Sequence, residues 1–245
     1  MNLSFLDFAG AIALGAVCLY VGVRLLLVGR RTQMRAETLL GVMFLTSGVF
    51  GNFFLALGYT APPALAPGFT GIATALFYVG TVCLVAFLRH VLYPGRQWAR
   101  ILEWILRAVC VVVFIGEARA GGFATPAPDG VWAWIGVVLH GGTFGWVSVD
   151  TALYRRRLAR QLRLGLVEPI VVQRVFLWSV AAGAASLAAF SDAIGSLGNE
   201  FASLVYPIAS VCGLVGALSI WAAFFPPRWI RGWMESRARS VRVEA

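Results

Sequence analysis

Long apolar runs alternate with short segments rich in proline, glycine and arginine along the whole chain. A helix needs about 20 mostly apolar residues to cross the hydrocarbon core of a bilayer. Seven runs reach that length: 6–28, 37–59, 69–92, 99–119, 131–153, 170–193 and 202–225. Turn residues separate them, as in YTAPPALAPG and GGFATPAPDG. The pattern predicts an all-α polytopic membrane protein whose seven transmembrane helices form one domain, residues 1–225.

The composition agrees with a lipid environment. Hydrophobic residues make up 60% of the chain and charged residues only 13%, a mixture too apolar to cover a water-soluble fold. The opening MNLSFLDFAG contains an aspartate and runs directly into a full-length apolar stretch, unlike a cleavable signal peptide. We therefore expect the first run to be retained as a membrane span.

Arginine side chains cluster in alternate connections between the predicted helices. They surround the connections after the first, third and fifth runs and follow the seventh, whereas the opposite connections hold only Arg119. Short cytoplasmic loops of membrane proteins carry the positive charge. The distribution predicts an N-terminus outside and a C-terminus in the cytoplasm. It also accounts for the net charge of +9 without a nucleic-acid partner.

The last segment, 226–245, is basic and amphipathic. Pro226 and Pro227 cannot donate helical hydrogen bonds, so they predict the end of the seventh helix. Beyond them, apolar and cationic side chains alternate at helical spacing, which predicts a short interfacial helix lying on anionic lipid: Trp229, Trp233, Arg228 and Arg231. The alternative is a frayed basic tail that only enforces topology.

Polar side chains inside a membrane span are costly and are candidates for a functional site. One set lies toward the predicted outer surface together with aromatic residues, and it suggests an outward-facing pocket for a small or lipidic molecule. Its members are His140, Asn52, Glu117, Asp192, Trp132, Trp134, Phe53 and Tyr206. The competing interpretation is that His140 and Asn52 only bond a neighbouring helix.

A second set of charged residues lies near the predicted cytoplasmic ends of the helices. It comprises Arg24, Glu37, Arg89, His90, Glu103, Arg107, Asp150, Glu168 and Arg174. Carboxylates among many arginines predict an ion-pair network that ties helix ends together. The same network is also a candidate for a bistable element that transmits a signal.

No cofactor, metal site or catalytic group is predicted. The chain has no lysine, which excludes retinal bound as a Schiff base. A non-covalently bound chromophore or a lipid stays open. The four cysteines lie apart within apolar runs, and no histidine and carboxylate groups converge at one depth. Glycines in HGGTFG (140–145) and GVFGN (48–52) are expected to let neighbouring helices approach closely.

Three stretches carry a family resemblance: YPGRQWAR at 93–100, LRLGLVEPIVVQRVFLW at 162–178 and WAAFFPPRWIRGW at 221–233. Together they resemble an uncharacterised family of bacterial seven-transmembrane integral membrane proteins. The resemblance implies a multi-pass protein of the bacterial inner membrane with this topology. It supplies no site residues.

These observations favour a sensory or ligand-binding protein, like a receptor in plan, that signals through a separate cytoplasmic or membrane partner. A transporter or channel for a small solute is the first alternative and would need a polar path to both faces. An intramembrane enzyme is the second alternative, although no catalytic constellation supports it. A homo-oligomer is compatible with all three interpretations.

Overall fold

The computed structural model of the protein describes residues 5–124 and 130–226, with side chains described from residue 10 onward except at 199–204. Seven helical rods and no strand occur in this part of the chain. Each rod coincides with one predicted apolar run. The rods are α1 Phe5–Thr32, α2 Arg35–Thr60, α3 Ala66–Val91, α4 Gln97–Arg119, α5 Val131–Arg163, α6 Pro169–Gly195 and α7 Asn199–Phe224.

Five of the rods in the described ranges are long and apolar enough to cross a membrane, namely α1, α2, α3, α6 and α7. This is the architecture of a multi-pass membrane protein. The other two rods are more polar: α4 carries Glu103, Arg107 and Glu117, and α5 carries His140.

The fifth helix is longer than the sequence pattern predicted. It continues past residue 153 to Arg163 and has 33 residues, or about 50 Å at about 1.5 Å per residue. The arginines of this extension are good helix formers, and Leu158 within it is only 4% exposed. Burial of that leucine and high helix propensity together carry the helix beyond its apolar part.

The rods form a closed ring. Each rod packs against the next one in sequence, α1 packs against α7, and α3 also touches α5. We call the side where α1, α3, α5 and α7 finish the arginine-rich end, and the other side the opposite end. The most extensive contacts are those of α6 with α5 and α7.

Small residues make the α5–α6 contact close. A Cβ at Gly141 would lie 3.2 Å from the Phe190 ring, and one at Gly145 would lie 3.1 Å from Ser186 Oγ. The expectation that these glycines admit a neighbouring helix is confirmed. It is wrong for Gly142, which faces open space.

The middle of α2 is a π-helical segment, Phe44–Gly51. Asn52 Nδ2 donates to the carbonyl oxygens of Ser47 at 2.8 Å and Gly48 at 3.3 Å, so its side-chain amide bonds locally to the backbone of the π-helical segment. A Cβ at Gly48 would lie 2.7 Å from Cys18 Sγ, and one at Gly51 would lie 2.8 Å from the Phe77 ring. The glycines of GVFGN thus let α1 and α3 approach, as predicted.

Candidate ligand-binding sites

His140 joins α5 to α3. Its Nδ1 lies 2.7 Å from Thr81 Oγ1, and the rings of Phe77 and Phe144 each lie 5.1 Å from the imidazole. The Thr81 hydroxyl also lies 2.9 Å from the Phe77 carbonyl oxygen. A hydroxyl has one proton, so donation to that carbonyl makes His140 Nδ1 the nitrogen that donates to Thr81. This geometry is that of a side-chain hydrogen bond between α3 and α5.

Glu117 of α4 forms a second polar contact with α3 nearby. Tyr78 donates a hydrogen bond of 3.3 Å to Glu117 Oε2, and both residues are only 6% exposed. A Cβ at Gly136 of α5 would lie 3.0 Å from Glu117 Oε1. The missing side chain at position 136 is therefore what makes room for the carboxylate between α3, α4 and α5.

The rest of the predicted outer set is spread over the bundle. Asn52 and Phe53 are exposed on α2, and Trp132 packs against Gly116 of α4. Tyr206 packs against Gly195, and Asp192 lies within electrostatic range of Tyr206. Trp134 is half-buried on α5. The structure brings His140 and Glu117 to one helix junction but does not bring the other members of the set to it.

Two cavities open at the arginine-rich end, and no member of the predicted outer set lines either of them. The first, which we call the apolar cavity, has a volume of about 420 Å³ and lies between α1, α3, α5, α6 and α7. Its wall is mainly aliphatic and aromatic. The residues that define it here are Val21, Leu25, Phe87, Leu88, Trp178 and Phe224.

Aromatic rings form one side of the apolar cavity. Trp178 stacks on Phe87 with ring centroids 5.4 Å apart and contacts Phe224 at 5.7 Å. These residues come from three different rods, so the surface exists only after the rods have packed. Leu88, which is 1% exposed, completes the wall from α3.

Two arginines stand at the rim of the apolar cavity, Arg24 of α1 and Arg174 of α6. Both are exposed. The Arg24 guanidinium lies 4.6 Å from the centre of the Phe225 ring. Within the described ranges neither guanidinium has a carboxylate within ion-pairing distance. The cavity therefore combines an apolar interior with cationic groups at its opening.

The second cavity, which we call the basic cavity, has a volume of about 500 Å³ and lies between the α1–α2 turn, α3 and α4. Eight of its twelve lining residues are polar or charged, and a histidine supplies the one aromatic ring among the twelve. The charged and titratable residues that line it are Arg30, Arg35, Arg89, His90, Glu103 and Arg107.

Glu103 is the centre of an ion cluster in the wall of the basic cavity. It is 4% exposed, and its carboxylate contacts Arg107 one turn along α4 and Arg89 of α3. Arg89 Nε lies 2.9 Å from Glu103 Oε2 without hydrogen-bond geometry, so the attraction there is Coulombic. Arg107 also lies 4.7 Å from the centre of the Trp104 ring. This cluster joins α3 to α4.

Four of the nine residues predicted for the cytoplasmic network meet in this cluster: Arg89, His90, Glu103 and Arg107. Arg24 and Arg174 instead line the apolar cavity. Glu168 is exposed before α6, and Glu37 lies in the first turn of α2 with a buried Oε2 that has no partner among the described residues. The charged ends thus form separate contacts.

Asp150 makes its contact with a loop. Tyr93, in the turn between α3 and α4, donates to the Asp150 carboxylate at 2.7 Å and packs edge-on against Trp98 at 4.6 Å. Burial, followed by the hydrogen bond and charge of Asp150, raises the pKa of Tyr93 to about 12. The neutral phenol is thereby held against α5.

Among the described residues, no group of three or more histidine, cysteine, aspartate or glutamate side chains is placed to hold a metal ion. Trp229, Trp233, Arg228 and Arg231, predicted to form the interfacial helix, lie outside the described residues.

Sequence reasoning missed the residues that shape the apolar cavity, above all Phe87, Trp178 and Phe224. It also missed Thr81 and Tyr78 as partners of the buried polar groups. One signal was present: Tyr78 and Thr81 are three apart on α3, which places them on one helix face. The contact of that face with α4 and α5 depends on tertiary packing, which helical spacing alone does not determine.

Comparison with known proteins gives no further constraint, because no family model, no curated protein and no solved structure matches this chain.

Proposed function

We propose that the protein binds an anionic amphiphile in the apolar cavity at its arginine-rich end. An anionic amphiphile here is a molecule with one acidic head group and an apolar tail, such as a fatty acid. The observation that carries this proposal is the pairing of an aliphatic and aromatic wall with Arg24 and Arg174, whose charges have no carboxylate partner among the described residues.

The proposal includes the full predicted topology, with seven spans, the N-terminus outside and the arginine-rich end in the cytoplasm of a bacterium. The paired polar groups of α4 and α5 support crossing by these two rods as well. Glu103, Glu117 and His140 each have a partner on α3, and polar groups in a membrane are tolerated when they are paired inside the bundle.

The volume of the apolar cavity and the position of its rim fit an anionic amphiphile. Small-molecule sites have volumes of about 300–1,000 Å³ and are mostly apolar with a few placed polar groups, and the apolar cavity has about 420 Å³. In the proposed topology its rim lies at the level of the lipid head groups, which arginine side chains contact. An acidic head would contact the two guanidiniums while the tail occupies the space beside Trp178.

We further propose that binding is a sensory event read by a separate protein. The cavity lies where α5, α6 and α7 meet, so a ligand that fits only one arrangement of these helices shifts the population toward it. The long basic extension of α5, which ends at Arg163, offers a partner an accessible surface at the same end.

A solute pathway has less support. On α3 the outer polar residues Tyr78 and Thr81 are separated from Arg89 by Leu84, 2% exposed, and Leu88, 1% exposed. This apolar layer favours a ligand-binding protein over a continuous polar path between the two faces.

The test compares an acid with the matching alcohol. Purified protein is titrated with lauric acid and with dodecanol, and the thermal midpoint and the affinity are measured. We expect Arg24→Gln/Arg174→Gln to weaken lauric acid binding about tenfold or more, the effect of losing charge-assisted hydrogen bonds, while dodecanol binding is unchanged.

A matched control removes two arginines from the same end but outside both cavities, Arg156→Gln/Arg160→Gln. We expect this control to bind lauric acid like the wild type. Val91→Trp, which places an indole in the cavity from an exposed position of its lining, should weaken both ligands. Equal binding of lauric acid by the wild type and both double variants would contradict the proposal.

A further inference from the structure

We propose that the basic cavity is a second, separate site that binds the phosphoryl group of a phosphomonoester. The bound group belongs either to a lipid head group, as in phosphatidic acid, or to a soluble molecule, as in glycerol 3-phosphate. This site lies on the other side of α3 from the apolar cavity, and the inference does not depend on the occupant of that cavity.

The charges lining the basic cavity are unbalanced. Four arginines face one carboxylate there, and Glu103 is already shared between Arg89 and Arg107. Arg30 and Arg35 have no carboxylate within ion-pairing distance in the described part of the chain. The guanidinium groups of Arg30 and Arg35 are thus available to a ligand, and those of Arg89 and Arg107 line the same cavity.

The α1–α2 turn holds these two arginines in one wall. Gln33 adopts a left-handed backbone conformation with φ +55°, which is uncommon for a residue other than glycine. Its side-chain amide donates to the Arg30 carbonyl oxygen at 2.8 Å. The turn therefore reverses the chain in two residues and brings Arg30, near the end of α1, and Arg35, at the start of α2, into the lining of the same cavity.

The start of α2 reinforces the attraction for an anion. Met34 precedes the helix without a side-chain cap, and the first amide groups of a helix carry partial positive charge that favours an anion. Arg35 in the first turn adds a cation where the dipole disfavours one. Glu37 is in the same turn but does not line the cavity. A bound anion in the cavity would therefore relieve the repulsion between the Arg35 guanidinium and the positive end of the helix dipole.

His90 orients Arg89 and does not compete for the ligand as a cation. Its Nδ1 lies 2.7 Å from the Ala86 carbonyl oxygen and must donate to it, so Nε2, at 3.2 Å from Arg89 Nη2, accepts. The imidazole is neutral in this arrangement. The positive charge facing the cavity comes from the arginines alone.

The cluster fits a phosphoryl group better than a carboxylate. A phosphomonoester presents three terminal oxygens and up to two negative charges, and guanidinium groups bind such oxygens in bidentate pairs. The volume of about 500 Å³ admits the group with the first carbons of its ester. An apolar tail would find no aromatic wall here, in contrast to the apolar cavity.

The experiment uses the full-length protein in phosphatidylcholine nanodiscs. In one arm soluble glycerol 3-phosphate is titrated, and in the other the discs contain phosphatidic acid. We expect at least one probe to raise the thermal midpoint of the wild type by mass action. Arg30→Gln/Arg35→Gln should weaken that binding about tenfold or more.

The matched control is Arg156→Gln/Arg160→Gln, which removes the same charge from exposed positions of α5 that line neither cavity. Arg30→Lys/Arg35→Lys keeps the charge and should lose less affinity than the glutamine pair. Both variants act at exposed residues, and unchanged melting without ligand verifies that they fold.

Each outcome is decisive. Loss of binding in the Arg30 and Arg35 variant alone supports the site, and the responding arm identifies the ligand as lipid or soluble. Equal loss in the matched control would show diffuse attraction to a basic surface and would overturn the proposal. Absence of any response by the wild type to both probes would overturn it as well.

Discussion

The α5–α6 contact and the α3–α4 contact join helices in opposite ways. Between α5 and α6, Ser148 Oγ donates to the Ser179 carbonyl oxygen and Ser179 Oγ donates to the Ser148 carbonyl oxygen, both at 2.8 Å. Hydroxyls on short side chains reach backbone atoms only when the helices are close. Between α3 and α4 the main polar links are longer side chains, Arg89 to Glu103 and Tyr78 to Glu117.

The difference is consistent with the position of the basic cavity. Helices joined by glycine, alanine and serine leave little room between them, because small side chains let the backbones approach. Helices joined by long charged side chains stand farther apart. The basic cavity lies beside the Arg89–Glu103 link, and the large apolar side chains of α4, such as Ile101 and Trp104, point outward.

The largest effect should come from breaking the charged link. Glu103→Gln removes the buried carboxylate that Arg89 and Arg107 share. The two arginine side chains are 25% and 40% exposed, so water compensates them in part, and we expect a loss of about 3 kcal/mol, the lower end of the range for a fully buried pair. Thermal unfolding of the purified protein measures the loss. Glu168→Gln, at an exposed glutamate, is the control and should melt like the wild type. If Glu103→Gln and Glu168→Gln melt at the same temperature, the ion cluster does not stabilise the packing of α4.

An intermediate effect should come from widening the close contact. Gly183→Val places a branched side chain where a Cβ would already lie 3.0 Å from Ser148 Oγ, and such overpacking costs about 1–3 kcal/mol. Gly142→Val is the matched control, because it adds the same side chain to α5 where nothing lies within 4 Å. Unfolding in parallel melts reports the difference, and a larger loss at Gly142 would refute the close-contact assignment.

The smallest effect should be a pH dependence carried by Tyr93. Its pKa is about 12 in the folded protein against 10.0 for an unperturbed tyrosine, so the unfolded chain ionises first as the pH rises. The stability that this residue contributes is complete below about pH 10 and is lost between about pH 10 and pH 12. Tyr93 is partly exposed, so the change is modest.

The measurement for Tyr93 is a series of melts across that pH range. We expect Tyr93→Phe to show a shallower decline in the thermal midpoint above pH 10 than the wild type does. Asp150→Asn, which keeps a hydrogen-bond acceptor but removes the charge that helps raise the pKa, should also make the decline shallower. Parallel declines in all three proteins would exclude the Tyr93–Asp150 contact as the cause.

The helices themselves were accessible from the sequence. The apolar runs that predicted them are long, and their breaks contain proline and glycine, so the local signal was strong for all seven rods. The sequence pattern ended α5 too early because residues 155–163 are rich in arginine and do not continue the apolar run. Burial of Leu158 against the bundle decides that boundary.

The site was only partly accessible. The polar residues inside the apolar runs were selected from the sequence as candidates, and two of them, His140 and Glu117, contact α3. Their depth alone could not show that they are satisfied by Thr81 and Tyr78. Arg24 and Arg174 were identified as charged helix ends, but the sequence pattern placed them in an ion network, not at the rim of a cavity.

Composition and the spacing of apolar runs by themselves determined an all-helical chain with helices suited to a membrane, because each helix satisfies its own backbone hydrogen bonds and needs only a sufficiently long apolar stretch. Tertiary structure alone decided which polar groups pair, which glycines are covered and where space is left. Those outcomes depend on the rotation and separation of neighbouring helices. Both quantities follow from side-chain packing between segments that are far apart in the sequence.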